Sequence, residues 1–360
     1  MSNATSNQFV PDYAVSPGET LLDTIEALGM SQAELAERTG RPKKTVNEII
    51  KGKAPITPET ALQLERVLGI PARFWNNLEN NYRETVARIA EQERLQEHVA
   101  WLKQIPVNAL VKQGWIRSFK DKVQQVQEVL NFFGVASPER WREMHLSLDV
   151  AYRTSTAFAD EPGAVSAWLR RGEIIARGID CKPYDAGNFK AALTEIRKLT
   201  IKAPEVFQPE VKRLCAEAGV ALVFVPELPK MHASGATRWL TSTKAIIQLS
   251  LRYKCDDQLW FSFFHEAGHI LLHGKKEVFI EDDGKSDKEN EANHFASEIL
   301  IPAIKLRSFI QSSRLTKEAI KRFAQESIIA PGIIVGRLQH DGYLPHSHCN
   351  DLKKRFKWAE

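Results

Sequence analysis

At 360 residues, 43% of them hydrophobic and 26% charged, the chain is long enough for two or three packed domains, and its composition excludes a disordered or fibrous protein. A formal net charge of +4 permits contact with nucleic acid without requiring it, so local charge has to decide. Cys181, Cys215, Cys255 and Cys349 form no C-x-x-C pair and read as reduced thiols, and with no leader-like or membrane-spanning apolar run the expectation is a cytoplasmic protein without membrane contact.

Short helical patterns follow one another over 17–28, 31–39, 42–50, 57–68 and 71–80. Ser31 with Glu34 three residues on has the form of a capping box, and Pro17, Pro42 and Pro71 stand where a first helical turn tolerates proline. Gly29, Gly40 and Gly69 suit helix ends. Thr39-Gly40-Arg41 separates two short helices, which is helix-turn-helix spacing. Leu35, Ala36, Val46, Ile49 and Ile50 form the apolar seam between them, leaving Lys43, Lys44, Thr45, Asn47 and Glu48 to project from the second. Acids slightly outnumber bases over the whole segment. The stretch 38–53, however, carries Arg38, Arg41, Lys43, Lys44, Lys51 and Lys53 against Glu48 alone, the footprint expected of a nucleic-acid-reading helix and its flanks.

The stretch "MSQAELAERTGRPKKTVNEIIKGKAPITPETALQLERVLGIPARFWNNLE" resembles the Xre/HigA class of five-helix repressors and antitoxins, over roughly the first 85 residues. The resemblance implies operator DNA as the partner of a homodimer, with 42–50 in the major groove and Gln32 near a phosphate. Lys43, Lys44, Thr45 and Asn47 are then the base-edge candidates. A bundle used only for dimerisation or docking is the competing reading.

The middle of the chain is charged and helical in period. One long amphipathic helix is expected to run on to Pro106, followed by helices over 120–133, 138–145 and 161–177. No catalytic constellation stands out. Trp168, in the last of these, reads as a helix-packing residue in preference to a ligand-docking one.

Beyond a helix near 209–218, "GVALVFVPEL" and "KAIIQLSL" read as buried strands joined by the polar connector "KMHASGATRWLTST". Then comes His265-Glu266-Ala267-Gly268-His269. Residues four apart lie one turn above each other on a helix, so His265 and His269 can present imidazole nitrogens to one ion. Glu266 is about 100° round from His265, placed for proton transfer in preference to ligation. A third histidine at metzincin spacing is absent, because Lys275 holds that position, so a carboxylate has to come from downstream. In "DKENEANHFASEILIP", Glu289 lies about 50° from the centre of the apolar face and Glu291 about 110°, which favours Glu289 as the ligand. Asn293 shares its face and can hydrogen-bond a ligand, whereas His273 reads as a buried histidine with a backbone partner. His232 and Arg238 are the oxyanion candidates. His346-Ser347-His348-Cys349 reads as part of a flexible polar tail.

"FHEAGHILLHG" followed by "ENEANHFASEILIP" resembles the ImmA/IrrE metallopeptidase family, over about 205–345, with an insert at 274–288 that carries no legible chemistry. The resemblance implies Zn2+ held by His265, His269 and Glu289, with Glu266 catalytic in peptide hydrolysis. The fold expected is mainly α with a small α+β part: a five-helix bundle over 1–85, a helical linker over 86–204, a zincin-like domain over 205–345 and a polar tail over 346–360. The function expected is a DNA-binding regulator whose zinc endopeptidase domain cleaves a specific protein, a repressor or a toxin. The alternative is a HigA-like antitoxin and autorepressor whose C-terminal half binds or senses without cutting.

Overall fold

The computed structural model describes residues 13–151, 162–274, 279–280 and 286–358, and the chain divides into two units between Val99 and Ala100. The fold is mainly helical with a small α+β part, as the sequence pattern leads one to expect.

The first unit contains α1 (Pro17–Ala27), α2 (Gln32–Thr39), α3 (Lys43–Ile50), α4 (Pro58–Leu68) and α5 (Ala72–Glu97). Side-chain caps set the starts of α2 and α4: Ser31 Oγ accepts from Glu34 N at 3.1 Å, and Thr57 Oγ1 accepts from Thr60 N at 3.2 Å, whereas α3 and α5 begin directly after Pro42 and Pro71. The α2–α3 turn needs φ of +69° at residue 40, which glycine adopts without penalty. Leu21, Ile25, Leu35, Ala36, Val46, Ile49 and Leu64 close around a fully buried Trp75. Glu79 of α5 accepts from Ile56 N at 3.0 Å and from Arg83 Nε at 2.7 Å, fastening the chain after α3 to the last helix. α5 does not reach Pro106. It ends at Glu97, where the charged repeat gives way to the apolar run Val99-Ala100-Trp101, and a 3-10 segment, Val99–Gln104, follows.

The second unit begins with α6 (Val107–Lys112), α7 (Lys122–Phe133), α8 (Pro138–Ala151) and α9 (Pro162–Arg177). Next come α10 (Ala186–Leu199), α11 (Pro204–Glu217), β1 (Val220–Phe224), β2 (Gly235–Thr241) and β3 (Lys244–Leu249). The C-terminal part adds α12 (Asp256–Leu272), β4 (Phe279–Ile280), α13 (Asp287–Leu300), α14 (Ala303–Ser312), α15 (Lys317–Ser327) and α16 (Pro331–His340). The sheet runs β1-β3-β2-β4, with β1 parallel to β3 and the other pairs antiparallel. β2 lies in the stretch expected as a polar connector. Its residues facing α12 are Gly235 and Thr237 instead of the branched apolar residues that signal a strand, and both lie against Glu266 of that helix.

α9 covers the opposite sheet face. Trp168 is fully buried there, its Nε1 donating to Val225 O at 3.0 Å while its own carbonyl accepts from Gln248 Nε2 at 2.7 Å. A helix expected in a linker is thus one layer of the second unit, and Trp168 packs on the sheet. On the other face, Trp260, Phe263, Phe264, Ala267 and Ile270 of α12 join the main core. Arg197 of α10 reaches the ends of two further helices, donating to Ile299 O at 2.7 Å, Leu300 O at 2.8 Å and Ser327 O at 2.9 Å. A cation on last-turn carbonyls suits both their hydrogen bonding and the helix dipole. Within the stretch expected as a polar tail, the described residues up to 358 are packed on the second unit. Phe356 is buried 5.7 Å from Phe207, and Asp256 N donates to Lys354 O at 2.9 Å, because two aromatic residues interrupt the charges of "KKRFKW".

Candidate metal centre and helix-turn-helix surface

α12 is apolar on most of its circumference, so its few polar side chains are carried into the core. His265, Glu266 and His269 are each no more than 1% exposed. The two imidazole Nε2 atoms stand 3.0 Å apart. α13 packs along α12 and is started by Ser286, whose Oγ accepts from Glu289 N at 3.2 Å. This puts Glu289 in the first turn, with Oε2 3.1 Å from His265 Nε2 and Oε1 3.4 Å from His269 Nε2. A tetrahedral ion with bonds of 2.0–2.1 Å has ligand atoms about 3.3 Å apart. Edges of 3.0, 3.1 and 3.4 Å are therefore close to one face of that tetrahedron. Two imidazole nitrogens and a carboxylate oxygen are also a donor set zinc prefers. Among the described residues, this is the one group of three or more such side chains able to hold a metal ion.

Protonation favours the same use. Burial pushes the His269 imidazole down to about 4, which keeps it neutral. Burial alone would raise Glu289, but the imidazoles of His265 and His269 outweigh it and hold the carboxyl at about 2. A neutral imidazole and an ionised carboxylate are the forms that ligate.

Neighbouring groups orient these side chains. His265 Nδ1 lies 2.9 Å from Asn293 Oδ1, one helical turn beyond Glu289. The His273 side chain, expected to find a backbone partner, instead meets His269 Nδ1 at 2.9 Å and Glu291 Oε2 at 3.1 Å. Phe279 of β4 stacks on His269 with ring centroids 4.0 Å apart. Glu266 lies against the start of β2, where a Cβ at Gly235 would come within 2.6 Å of its Oε1. Glycine is what leaves room for that carboxylate.

The two oxyanion candidates do not join this group. Strand alternation turns Arg238 to the opposite sheet face, where it binds Leu169 O at 2.9 Å and Glu173 at 3.3 Å. His232 is exposed, with its Nδ1 3.1 Å from Arg252 Nη2. Sequence reasoning missed Gly235 and Phe279 and weighed Glu291 only as a rival of Glu289 for the ion; it had no signal for their contacts, each of which joins elements distant in the chain. Beside His265 a cleft of about 600 Å³ runs past Phe261, Asn293 and Ser234 to Arg252 and Arg337. That volume is in the range of small-ligand sites.

In the first unit, Lys43 and Lys44 are exposed at the start of α3, and Thr45, Asn47 and, on α2, Gln32 are half-buried. Lys44 Nζ is 3.8 Å from Glu48. Arg41 is held by Gln63 at 2.5 Å and Glu59 at 3.6 Å, and Arg38 pairs with Glu34 at 2.6 Å. The basic stretch thus divides into two arginines engaged within the unit and exposed lysines at 43, 44, 51 and 53.

Comparison with known proteins gives matches at both ends. Residues 23–75 match the helix-turn-helix family, and residues 215–330 match the IrrE N-terminal-like domain. An uncharacterized HTH-type transcriptional regulator, YddM, of Escherichia coli (strain K12) is 33% identical over 64 residues, 18% of this chain and 68% of that protein. The chain belongs to the helix-turn-helix regulators and carries a C-terminal IrrE-like domain. Virulence-associated protein I of Dichelobacter nodosus is 33% identical to the helix-turn-helix part over 82 residues, 22% of this chain and 73% of its own length. Among solved structures, an addiction module antidote protein of a HigA family from Coxiella burnetii is 30% identical. It covers 23% of this chain and 92% of its own, with a TM-score of 0.22. The IrrE-like match takes in β1 to β4, α12 and α13, and so spans every residue of the candidate metal centre. No helix among the described residues is long and apolar enough to cross a membrane.

Proposed function

We propose that the chain is an operator-binding transcriptional regulator whose IrrE-like domain is a zinc-dependent endopeptidase that cleaves a specific protein partner, a repressor or a toxin. The observation that carries this reading is the convergence of His265, His269 and Glu289 on tetrahedral edges, beside a buried Glu266.

Zinc held by these three residues supplies Lewis acidity toward the scissile carbonyl and the attacking water. The chain supplies the rest. Glu266 takes the proton from the water and returns it to the leaving amine. Gly235 leaves its carboxylate room, and Thr237 Oγ1 donates to Glu266 O at 3.3 Å, tying β2 to the helix at that residue. The adjoining cleft holds an extended segment of the substrate next to His265.

In the helix-turn-helix unit, α3 enters the major groove of a palindromic operator as part of a homodimer, with Lys43, Lys44, Thr45 and Asn47 toward base edges and Gln32 toward a phosphate. The exposure of both lysines at the first turn of α3 supports this placement.

The test is to compare the new protein N-termini that appear in cells making the wild type with those in cells making Glu266→Gln. A cleavage product present with the wild type and absent with the variant identifies the substrate. A variant that keeps every regulatory effect would sink the peptidase reading and leave the domain as a binding or sensing module of an antitoxin-like autorepressor.

A further inference from the structure

The two imidazoles of the metal centre are held in different ways. His265 Nδ1 meets a neutral amide oxygen at 2.9 Å. His269 is the first member of a chain of three groups, His269–His273–Glu291, with successive contacts of 2.9 and 3.1 Å. We propose that His273 and Glu291 are positioning residues for zinc binding, fixing the His269 ring and its tautomer through one continuous relay that ends in a carboxylate. The inference rests on the reading of His265, His269 and Glu289 as zinc ligands.

Proton accounting permits one arrangement. A neutral imidazole has one N–H and one lone pair. For Nε2 of His269 to act as a metal donor, its proton has to sit on Nδ1, where it is donated to His273 Nδ1. That leaves the His273 proton on Nε2, where it is donated to Glu291 Oε2. Every nitrogen is then used once, and the carboxylate polarises the whole chain toward a more basic Nε2 on His269.

Burial gives the relay a direction. The His269 and His273 side chains are 0% and 3% exposed, whereas the Glu291 side chain is 61% exposed. The chain therefore runs from the metal centre to the protein surface. Phe279 lies over both rings, 4.0 Å from His269 and 5.1 Å from His273 between centroids, and restricts their rotation. Glu291 belongs to the same helix as the ligand Glu289, but the wheel turns it outward, so α13 supplies one carboxylate to the ion and another to the ring behind it.

A purely structural alternative is that His273 and Glu291 merely fasten α13 to α12. The two roles separate in a measurement on the full chain. Zinc affinity is read by competition with a chromophoric chelator, and thermal stability is read on the metal-free protein. Glu291→Ala, a change at an exposed side chain, is expected to weaken zinc binding roughly 10- to 100-fold and to leave the metal-free melting temperature near wild type. Glu291→Gln, which keeps an accepting oxygen, is expected to restore part of the affinity. His273→Phe combined with Glu291→Ala is expected to bind zinc no more weakly than His273→Phe alone, since the two residues act in series. A wild type that binds zinc with unchanged affinity in Glu291→Ala, or losses that simply add in the double variant, would overturn the relay alone. A wild type that binds no zinc would overturn the metal-centre reading and the relay with it.

Discussion

In the α2–α3 pair the apolar side chains Leu35, Ala36, Val46 and Ile49 form the seam and the lysines stand in solvent. In the α12–α13 pair part of the seam is the candidate metal centre: His265, His269 and Glu289 face one another where apolar side chains would otherwise pack. The first arrangement separates function from stability, because removing an exposed lysine leaves the core untouched. The second couples them, since a change at His265, His269 or Glu289 alters a buried charge or hydrogen bond. The difference gives each region its own signature under mutation and pH.

The largest expected effect is catalytic. Glu266→Gln is close in shape and should retain zinc and operator binding while cutting the cleavage rate about 10²- to 10⁴-fold, the usual worth of a positioned general base. A parallel loss of zinc in that variant would instead make Glu266 a ligand.

Next is the pH dependence of the metal-free second unit. The His269 imidazole titrates near 4 in the folded chain against 6.5 unfolded, so as pH falls through that window the unfolded state takes up the proton first and stability drops. The loss amounts to roughly 3 kcal/mol. Glu289, ordinarily near 4.5 and held at about 2, adds stability that is present above 4.5 and is lost as pH falls toward 2. Asp256 works the other way. Burial and then Asp257 raise it from 3.8 to about 6, so its ionisation costs stability as pH rises through that interval. Denaturant unfolding should therefore show Asp256→Asn stabilised by about 3 kcal/mol at pH 8 and unchanged near pH 3. Equal effects at both values would contradict the assignment.

Arg197→Ala should destabilise the second unit by about 2 kcal/mol, because it strips charge-assisted hydrogen bonds from three part-buried carbonyls. The first unit, unfolding in its own transition, should be unaffected. The smallest stability effects are expected on α3. Asn47→Ala and Lys44→Ala should each lower operator discrimination by about 1–3 kcal/mol at one base position. Calorimetry should show neither variant changing the unfolding of the first unit.

How much of this was legible in the sequence follows from the same contrast. α1 to α4 are punctuated by Ser31, Thr57, Gly40, Gly69 and proline first turns, and local signals suffice to bound them. The α12 histidines are also local, since four-residue spacing on a helix needs no tertiary information. Glu289 could be separated from Glu291 by its angle on the wheel, yet the contact of Glu291 with His273 depends on how α13 lies along α12 and could not. β2 escaped because its site-facing residues are small or polar. Arg238 misled because a strand residue's face is fixed by register, which no neighbouring residue announces. The packing of Phe356 and Trp358 was hidden by the charges around them.

The most direct test of the central claim is the zinc content of purified protein, wild type beside His265→Ala and Glu289→Ala, measured by mass spectrometry at neutral pH. Three donors in one tetrahedral face predict roughly one zinc per chain in the wild type and loss of it in both variants, with helical content retained. A wild type without zinc under zinc-replete conditions, or a Glu289→Ala protein that keeps its full complement, would contradict the account.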